Sequence, residues 1–173
     1  MLYRDREGRP YRVRAAAPAD AAALVQMLER VGAEERYLVA DGAGRTAAEQ
    51  ERLLAAAPPG YLVLVAEVEE AGPVGFLEIL TGAYRKNRHT ATLGMALLPE
   101  WRGRRLGDGL LEAAEAWARA REVEKISLAV FASNTAALRF YARHGYAEEG
   151  RRFRQYRIDG REVDEVWLAK FLA

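Results

Sequence analysis

The residues best placed to do chemistry are Leu97-Leu98-Pro99-Glu100-Trp101-Arg102-Gly103-Arg104-Arg105-Leu106-Gly107-Asp108-Gly109-Leu110-Leu111. They read as a strand end and a glycine-punctuated turn that opens directly into a helix. Successive backbone amides at a helix N-terminus converge on one point, and the helix dipole favours negative charge there. Glycine lets an anion approach without a side chain in the way. A phosphate group is the ligand such a turn suits. The spacing lacks the Gly-Lys-Ser/Thr that would place lysine and magnesium on a nucleotide, and it is not the Gly-x-Gly-x-x-Gly of a dinucleotide fold. Both nucleotide readings are weakened accordingly.

A second segment runs Asn134-Thr135-Ala136-Ala137-Leu138-Arg139-Phe140-Tyr141-Ala142-Arg143-His144-Gly145-Tyr146. Asn134 can cap a helix through Arg143, and Gly145 stands where a left-handed residue usually ends one. Tyr141 lies beside Leu138 and Phe140, so packing is its plain reading.

The two segments together resemble the cofactor motifs of the GNAT superfamily of N-acetyltransferases. Arg102-Gly103-Arg104-Arg105-Leu106-Gly107 is similar to that family's Arg/Gln-x-x-Gly-x-Gly/Ala pyrophosphate turn. Asn134 to Tyr146 is similar to its second cofactor segment, with asparagine at the helix start and tyrosine seven residues on. The likeness covers nearly the whole chain, from the opening strand and Asp20 to the closing hairpin. It implies acetyl-CoA as co-substrate, a small amine as acceptor, and direct attack without a covalent enzyme intermediate. Carried over by residue, it implies that Arg102 and the backbone of Gly103, Arg104, Arg105, Leu106, Gly107 and Asp108 hold the coenzyme A pyrophosphate. Met95, Ala96 and Leu97 fall on the family's splayed strand, which pairs with pantetheine and points an amide at the thioester carbonyl as an oxyanion donor. Asn134 falls on a contact to the coenzyme arm and Tyr141 on the general acid toward the leaving thiolate. One residue departs from the pattern. Arg105 replaces the first turn glycine, where a left-handed backbone would cost about 1–2 kcal/mol. Either the turn takes another conformation or Arg105 adds a phosphate contact.

The proton acceptor does not carry over. A lysine-like amine is neutral in only about one part in a thousand or less at pH 7, so something must take its proton. Many relatives use a glutamate on the splayed strand, and Thr90 to Leu98 contains no carboxylate. Glu78, Glu34, Glu35 and His89 are the remaining candidates, each acting through water. The loops Gly32 to Gly44 and Thr81 to His89 are expected to choose the acceptor, and Glu34, Glu35 and Asp41 in the first could receive a cationic amine. With no carboxylate base and no turn glycine at 105, the alternative is a catalytically silent acyl-CoA-binding or sensing domain on the same scaffold.

The elements that must position these residues follow from periodicity. A short strand at Tyr11 to Ala15 precedes an amphipathic helix ending at Gly32, and Thr46 with Glu49 forms a capping box for a second helix that stops near Pro58-Pro59-Gly60. Tyr61 to Val68 and Val74 to Leu80 read as a hairpin pair, followed by a strand from about Thr90 to Leu98. A helix from Gly107 to Arg121, a buried strand from Lys125 to Phe131 and a final hairpin around Asp159-Gly160 complete the order. The fold class is α+β: one domain over residues 1–173, with a mixed, mostly antiparallel sheet. The resemblance sets about seven strands and about four helices, with splayed strands making the cofactor cleft.

Composition removes several other classes. Half of the 173 residues are apolar and 29% are charged, as in a soluble globular protein. Net charge is +1, so no global field draws in nucleic acid, and the run Arg151, Arg152, Arg154 and Arg157 with Phe153 and Tyr156 reads as the solvated face of a strand. Cysteine is absent, which excludes disulfides, thiolate metal sites and an acyl-cysteine intermediate. His89 and His144 are the only histidines and lack His-x-x-x-His spacing, so no metal is expected. Ser127 and Ser133 lie in no Gly-x-Ser-x-Gly elbow, so hydrolase chemistry is not expected either. Nothing in MLYRDREGRPYRVR directs export and no later run approaches a membrane span, so a cytoplasmic location is expected, with acetyl-CoA and a small amine as partners, no membrane, and a homodimer allowed.

Overall fold

Short signals set most element ends. The amide of Glu49 donates to Thr46 Oγ1 at 3.3 Å and the amide of Thr46 to Glu49 Oε2 at 2.7 Å, closing the capping box ahead of a helix over Ala47–Ala56. Asn134 Oδ1 accepts from the Ala137 amide at 3.1 Å and starts a helix over Thr135–Arg143. Asp159 and Gly160 both take left-handed conformations, φ 50° and 73°, as a tight hairpin turn requires.

The computed structural model describes residues 1–40 and 42–172; Asp41, named above as a receiver for a cationic amine, lies outside the described residues. Chain order is β1 (Leu2–Arg4), β2 (Pro10–Ala15), α1 (Ala21–Gly32), α2 (Ala47–Ala56), β3 (Tyr61–Val68), β4 (Gly72–Thr81), β5 (Thr90–Leu97), α3 (Leu106–Arg119), β6 (Lys125–Phe131), α4 (Thr135–Arg143), β7 (Ala147–Ile158) and β8 (Arg161–Phe171). Eight strands form where about seven were expected. The extra one, β1, is three residues long in a polar run, too short for alternation to register.

All eight strands share one open sheet in the order β1-β2-β3-β4-β5-β6-β8-β7. Every pairing is antiparallel except β5 with β6. That parallel pair holds only over Thr90 to Thr92 against Lys125 to Ser127, after which the strands part. From Leu93 to Leu97, β5 keeps its antiparallel partner β4 but has no ladder on its other edge. Backbone polar groups left in this way must find another partner, which makes the parting a place for a ligand.

Apolar residues of alternate register divide between the faces of the sheet. Leu64, Leu77, Ile79 and Leu93 pack against α3 through Leu106, Leu110, Leu111 and Ala114. Val63, Val65, Phe76 and Ala96 pack against α1 through Leu24, Met27 and Val31. The sheet edge at β7 carries the arginine run. There Arg151 pairs with Glu148 and Asp164, Arg152 with Glu165 and Arg154 with Glu162, so much of its charge is neutralised locally. No helix among the described residues is long and apolar enough to cross a membrane.

The start of α1 is fixed by a half-buried ion pair. Arg14 Nη1 and Nη2 donate to Asp20 Oδ2 and Oδ1 at 2.6 and 2.9 Å, and Asp20 Oδ2 also accepts the Ala17 amide at 2.7 Å. These bonds, Arg14's first, hold the Asp20 carboxyl below the usual aspartate range. A depressed carboxyl contributes stability that is present above its unfolded pKa and lost as pH falls through the folded value. Asp20→Asn is therefore expected to cost about 2–3 kcal/mol at pH 7, read by urea denaturation. The difference from wild type should shrink below about pH 4.

Candidate active site

The parting of β5 from β6 opens into a cleft of about 750 Å³ between β5, the turn before α3 and the inner side of α4. Met95, Ala96 and Leu97 line it from the free edge of β5, and Gly103, Arg105, Leu106, Gly107 and Asp108 close one end. Asn134 and Tyr141 face it from α4. One cleft thus gathers both sequence segments.

The turn is built for an anion. Gly103 has φ +72° with open space around it, and Arg105, at the N-cap of α3, is left-handed with φ 69° and ψ 13°. Of the two options open for Arg105, an alternative turn conformation is ruled out: the chain accepts a left-handed arginine. Gly107 sits in the first turn of α3, where a Cβ would meet the Phe140 ring at 3.2 Å and Met95 Cε at 3.4 Å. Glycine there leaves the amides of Leu106 and Gly107 uncovered, while that of Asp108 donates to the Arg105 carbonyl at 3.2 Å. Asp108 places a carboxylate in the same turn, and Nε2 of His144, the residue that ends α4, lies 3.0 Å from its Oδ1, within hydrogen-bond distance.

Two of the arginines do other work. Arg102 lines the cleft, but its Nε donates to the Leu97 carbonyl at 3.0 Å and its Nη1 and Nη2 grip both oxygens of Glu34 at 2.7 and 2.5 Å. It ties the turn to the loop after α1, and it occupies Glu34, one of the proposed bases. Arg104 does not line the cleft. Its guanidinium lies 4.9 Å from the centre of the Trp101 ring and 3.9 Å from Glu7, so only its backbone is left for the coenzyme.

Tyr141 is 5% exposed and held edge-on by Phe140 and Tyr146 at 5.1 and 5.6 Å between ring centres. Burial pushes its hydroxyl above the ordinary tyrosine value of 10.0. It therefore stays protonated through the neutral range. Asn134 spends its Oδ1 on the helix cap, which leaves its amide nitrogen as a donor.

The acid–base candidates separate. Glu78 on β4 stands opposite Gly94 of β5 and accepts from the Tyr61 hydroxyl at 3.1 Å. It lines a second cavity of about 250 Å³, together with Arg45, Gln50 and apolar residues of α1, β3 and β4, whose wall shares Leu38 with the main cleft. Burial first, then Glu78, pushes the Tyr61 hydroxyl up to about 12, so that donor is kept. Glu35 is exposed at a left-handed position past the end of α1 and lines none of these cavities, and exposed His89 lies before β5, at the opposite end from the turn. The structure brings neither to the cleft.

Sequence reasoning missed several lining residues. Phe140 and His144 stand three and seven positions after Ala137, so a helical-face count from Ala137 would have found them. Arg6, Tyr37 and Leu38 come from loops, where no period exists to read. A third cavity of about 500 Å³, with Arg36, Asp159 and Arg161 in its wall, adjoins the cleft through Tyr37 and Asn134. Among the described residues, no group of three His, Cys, Asp or Glu side chains is placed to hold a metal ion.

Residues 24–146 match the model of the acetyltransferase (GNAT) family. The chain belongs to that family. As a GNAT protein it is an N-acetyltransferase that uses acetyl-CoA, and its relatives agree. The L-amino acid N-acetyltransferase AaaT of Escherichia coli is 30% identical over 125 residues, covering 70% of this chain and 74% of that protein. A GNAT acetyltransferase from Streptococcus pneumoniae superposes with a TM-score of 0.86 at 28% identity, over 94% of this chain and 99% of the other. The yncA protein of Salmonella typhimurium, solved with its cofactor acetyl-CoA, has the same GNAT fold at TM-score 0.84 and 21% identity, over 94% of each chain.

Proposed function

We propose that this GNAT enzyme moves the acetyl group of acetyl-CoA to the primary amine of a small molecule by direct attack on the bound thioester. The observation that carries the reading is the parting of β5 from β6, which puts a free strand edge, an amide-lined turn and a buried tyrosine hydroxyl into one cleft. The amides of Gly103 to Asp108 take the pyrophosphate. The free edge of Met95 to Leu97 pairs with the pantetheine arm and offers an amide to the thioester oxygen as it becomes an oxyanion. Asn134 steadies the arm. The amine nitrogen bonds to the acetyl carbon, the carbon–sulfur bond breaks, and Tyr141 donates to the departing sulfur. Glu78, one strand away from the free edge, receives the amine proton through water. Holding amine and thioester in contact supplies much of the rate, up to roughly 7–11 kcal/mol in favourable cases.

The acceptor enters from the α1 side, where the two smaller cavities adjoin the cleft. One mixes apolar residues with Arg45, Gln50 and Glu78, the other is lined by Arg36, Asp159 and Arg161, and together they suit a small amine that also carries an ionic group. The likeness to an L-amino acid N-acetyltransferase supports the same class. Thiol release measured over amino acids, polyamines and peptide N-termini is expected to rank amino acids first. Turnover of peptide N-termini alone would sink the small-molecule acceptor.

A further inference from the structure

The hairpin of β1 and β2 lies ahead of the residues matched to the family, yet it is docked on the back of the phosphate turn. The Arg6 amide donates to the Arg104 carbonyl at 2.9 Å, and the Tyr11 hydroxyl donates to the Arg105 carbonyl at 3.1 Å. In a trans peptide the carbonyl of one residue and the amide of the next point in opposite directions. Drawing the carbonyls of Arg104 and Arg105 toward the hairpin therefore turns the amides of Arg105 and Leu106 the other way. Residues 105 and 106 line the cleft on that side.

The donor itself is firmly seated. Tyr11 is 3% exposed and stacks on Tyr3, with ring centres 5.4 Å apart and planes 21° apart. Gly109 of α3 makes the room, since a Cβ there would lie 2.5 Å from the Tyr11 hydroxyl oxygen. Burial first, with Asp108 and Glu112 adding to it, pushes the Tyr11 hydroxyl up to about 12, so it remains a donor across the neutral range. The loop between the two strands is also fixed. Asp5 Oδ1 accepts the amides of Glu7 and Arg9 at 2.8 and 2.9 Å, and Arg6, between Asp5 and Glu7, lines the cleft.

We propose that this hairpin is a working part of the coenzyme site: Tyr11 is a positioning residue that holds the left-handed Arg105 turn with its amides toward the ligand, and Arg6 gives a guanidinium to a phosphate of coenzyme A. The Arg105 carbonyl also accepts the Asp108 amide at 3.2 Å, and the hydrogen bond from Tyr11 adds to it in offsetting the cost of a non-glycine residue at φ 69°. It rests on the reading of the cleft as the coenzyme site.

Tyr11→Phe keeps the stacked ring and deletes only the donated hydrogen bond. It is expected to raise the KM for acetyl-CoA about 3–10-fold with kcat and the amine KM unchanged. A merely structural tyrosine would lower the melting temperature and leave that KM alone. Arg6→Ala, titrated calorimetrically, is expected to lose about 10–100-fold in coenzyme A affinity. If 3′-dephospho-coenzyme A loses as much, the pyrophosphate is the partner of Arg6; if only coenzyme A does, the 3′-phosphate is. Unchanged coenzyme A affinity in both variants, with wild type binding normally, would overturn the inference and leave the site standing. Wild type that bound no coenzyme A would overturn the site assignment itself.

Discussion

Tyr141→Phe is expected to lower kcat about 10²–10⁴-fold while leaving acetyl-CoA affinity and folding nearly unchanged. The substitution removes only a hydroxyl, and the ring keeps its edge-on contacts with Phe140 and Tyr146. Deleting that hydroxyl leaves the coenzyme thiolate to depart without a proton. The pH profile adds a sign. Burial raises the Tyr141 hydroxyl above the ordinary 10.0, so it stays a donor through the neutral range and is not expected to cause a fall in wild-type rate there. Steady-state kinetics with a turned-over amine from pH 6 to about 9.5 reads both points. Wild-type turnover by Tyr141→Phe would leave packing as the residue's whole role. Loss of binding together with turnover would make the hydroxyl a cofactor contact instead.

Gly107→Val should weaken acetyl-CoA binding severely, by roughly 100-fold or more, equivalent to about 2.7 kcal/mol. The Cβ alone would sit 3.2 Å from the Phe140 ring, and two further methyl groups must either push α4 outward or cover the amides of the first turn of α3. Arg105→Ala should weaken binding only modestly, because the left-handed backbone and not the side chain forms the turn. Calorimetry on variants whose circular dichroism matches wild type is the check. Normal affinity in a folded Gly107→Val protein would remove the turn as the phosphate site.

How far the sequence revealed this site depends on which part is asked about. The turn and α4 are local: Gly103, Gly107, Asn134 and Tyr141 act through backbone angle, cap position and helical spacing, all of which a short window carries. The parting of β5 from β6 is legible only through family resemblance, since Thr90 to Leu97 alternates as any half-buried strand does and nothing in it tells where its partner leaves. Arg102 shows a different limit. Its position in the motif is right, but Glu34 and the Leu97 carbonyl claim its guanidinium, and a bond across 68 positions leaves no periodic trace. Glu35 failed as a candidate for the same reason that Glu34 is occupied: a turn at the end of α1 sends one side chain inward and the next to solvent. The hairpin contributing Arg6 and Tyr11 is laddered to β3, but it meets the turn through single hydrogen bonds to residues about 95 positions away, as with Tyr11 to Arg105, which no reading of spacing reaches.

The most direct test of the account is a crystal structure of the protein with coenzyme A and an amine that it acetylates. The account predicts the pyrophosphate against the amides of Gly103 to Asp108, the pantetheine arm along Met95 to Leu97, and the sulfur within hydrogen-bonding reach of the Tyr141 hydroxyl. Coenzyme A bound outside this cleft, or its sulfur remote from Tyr141, would contradict it.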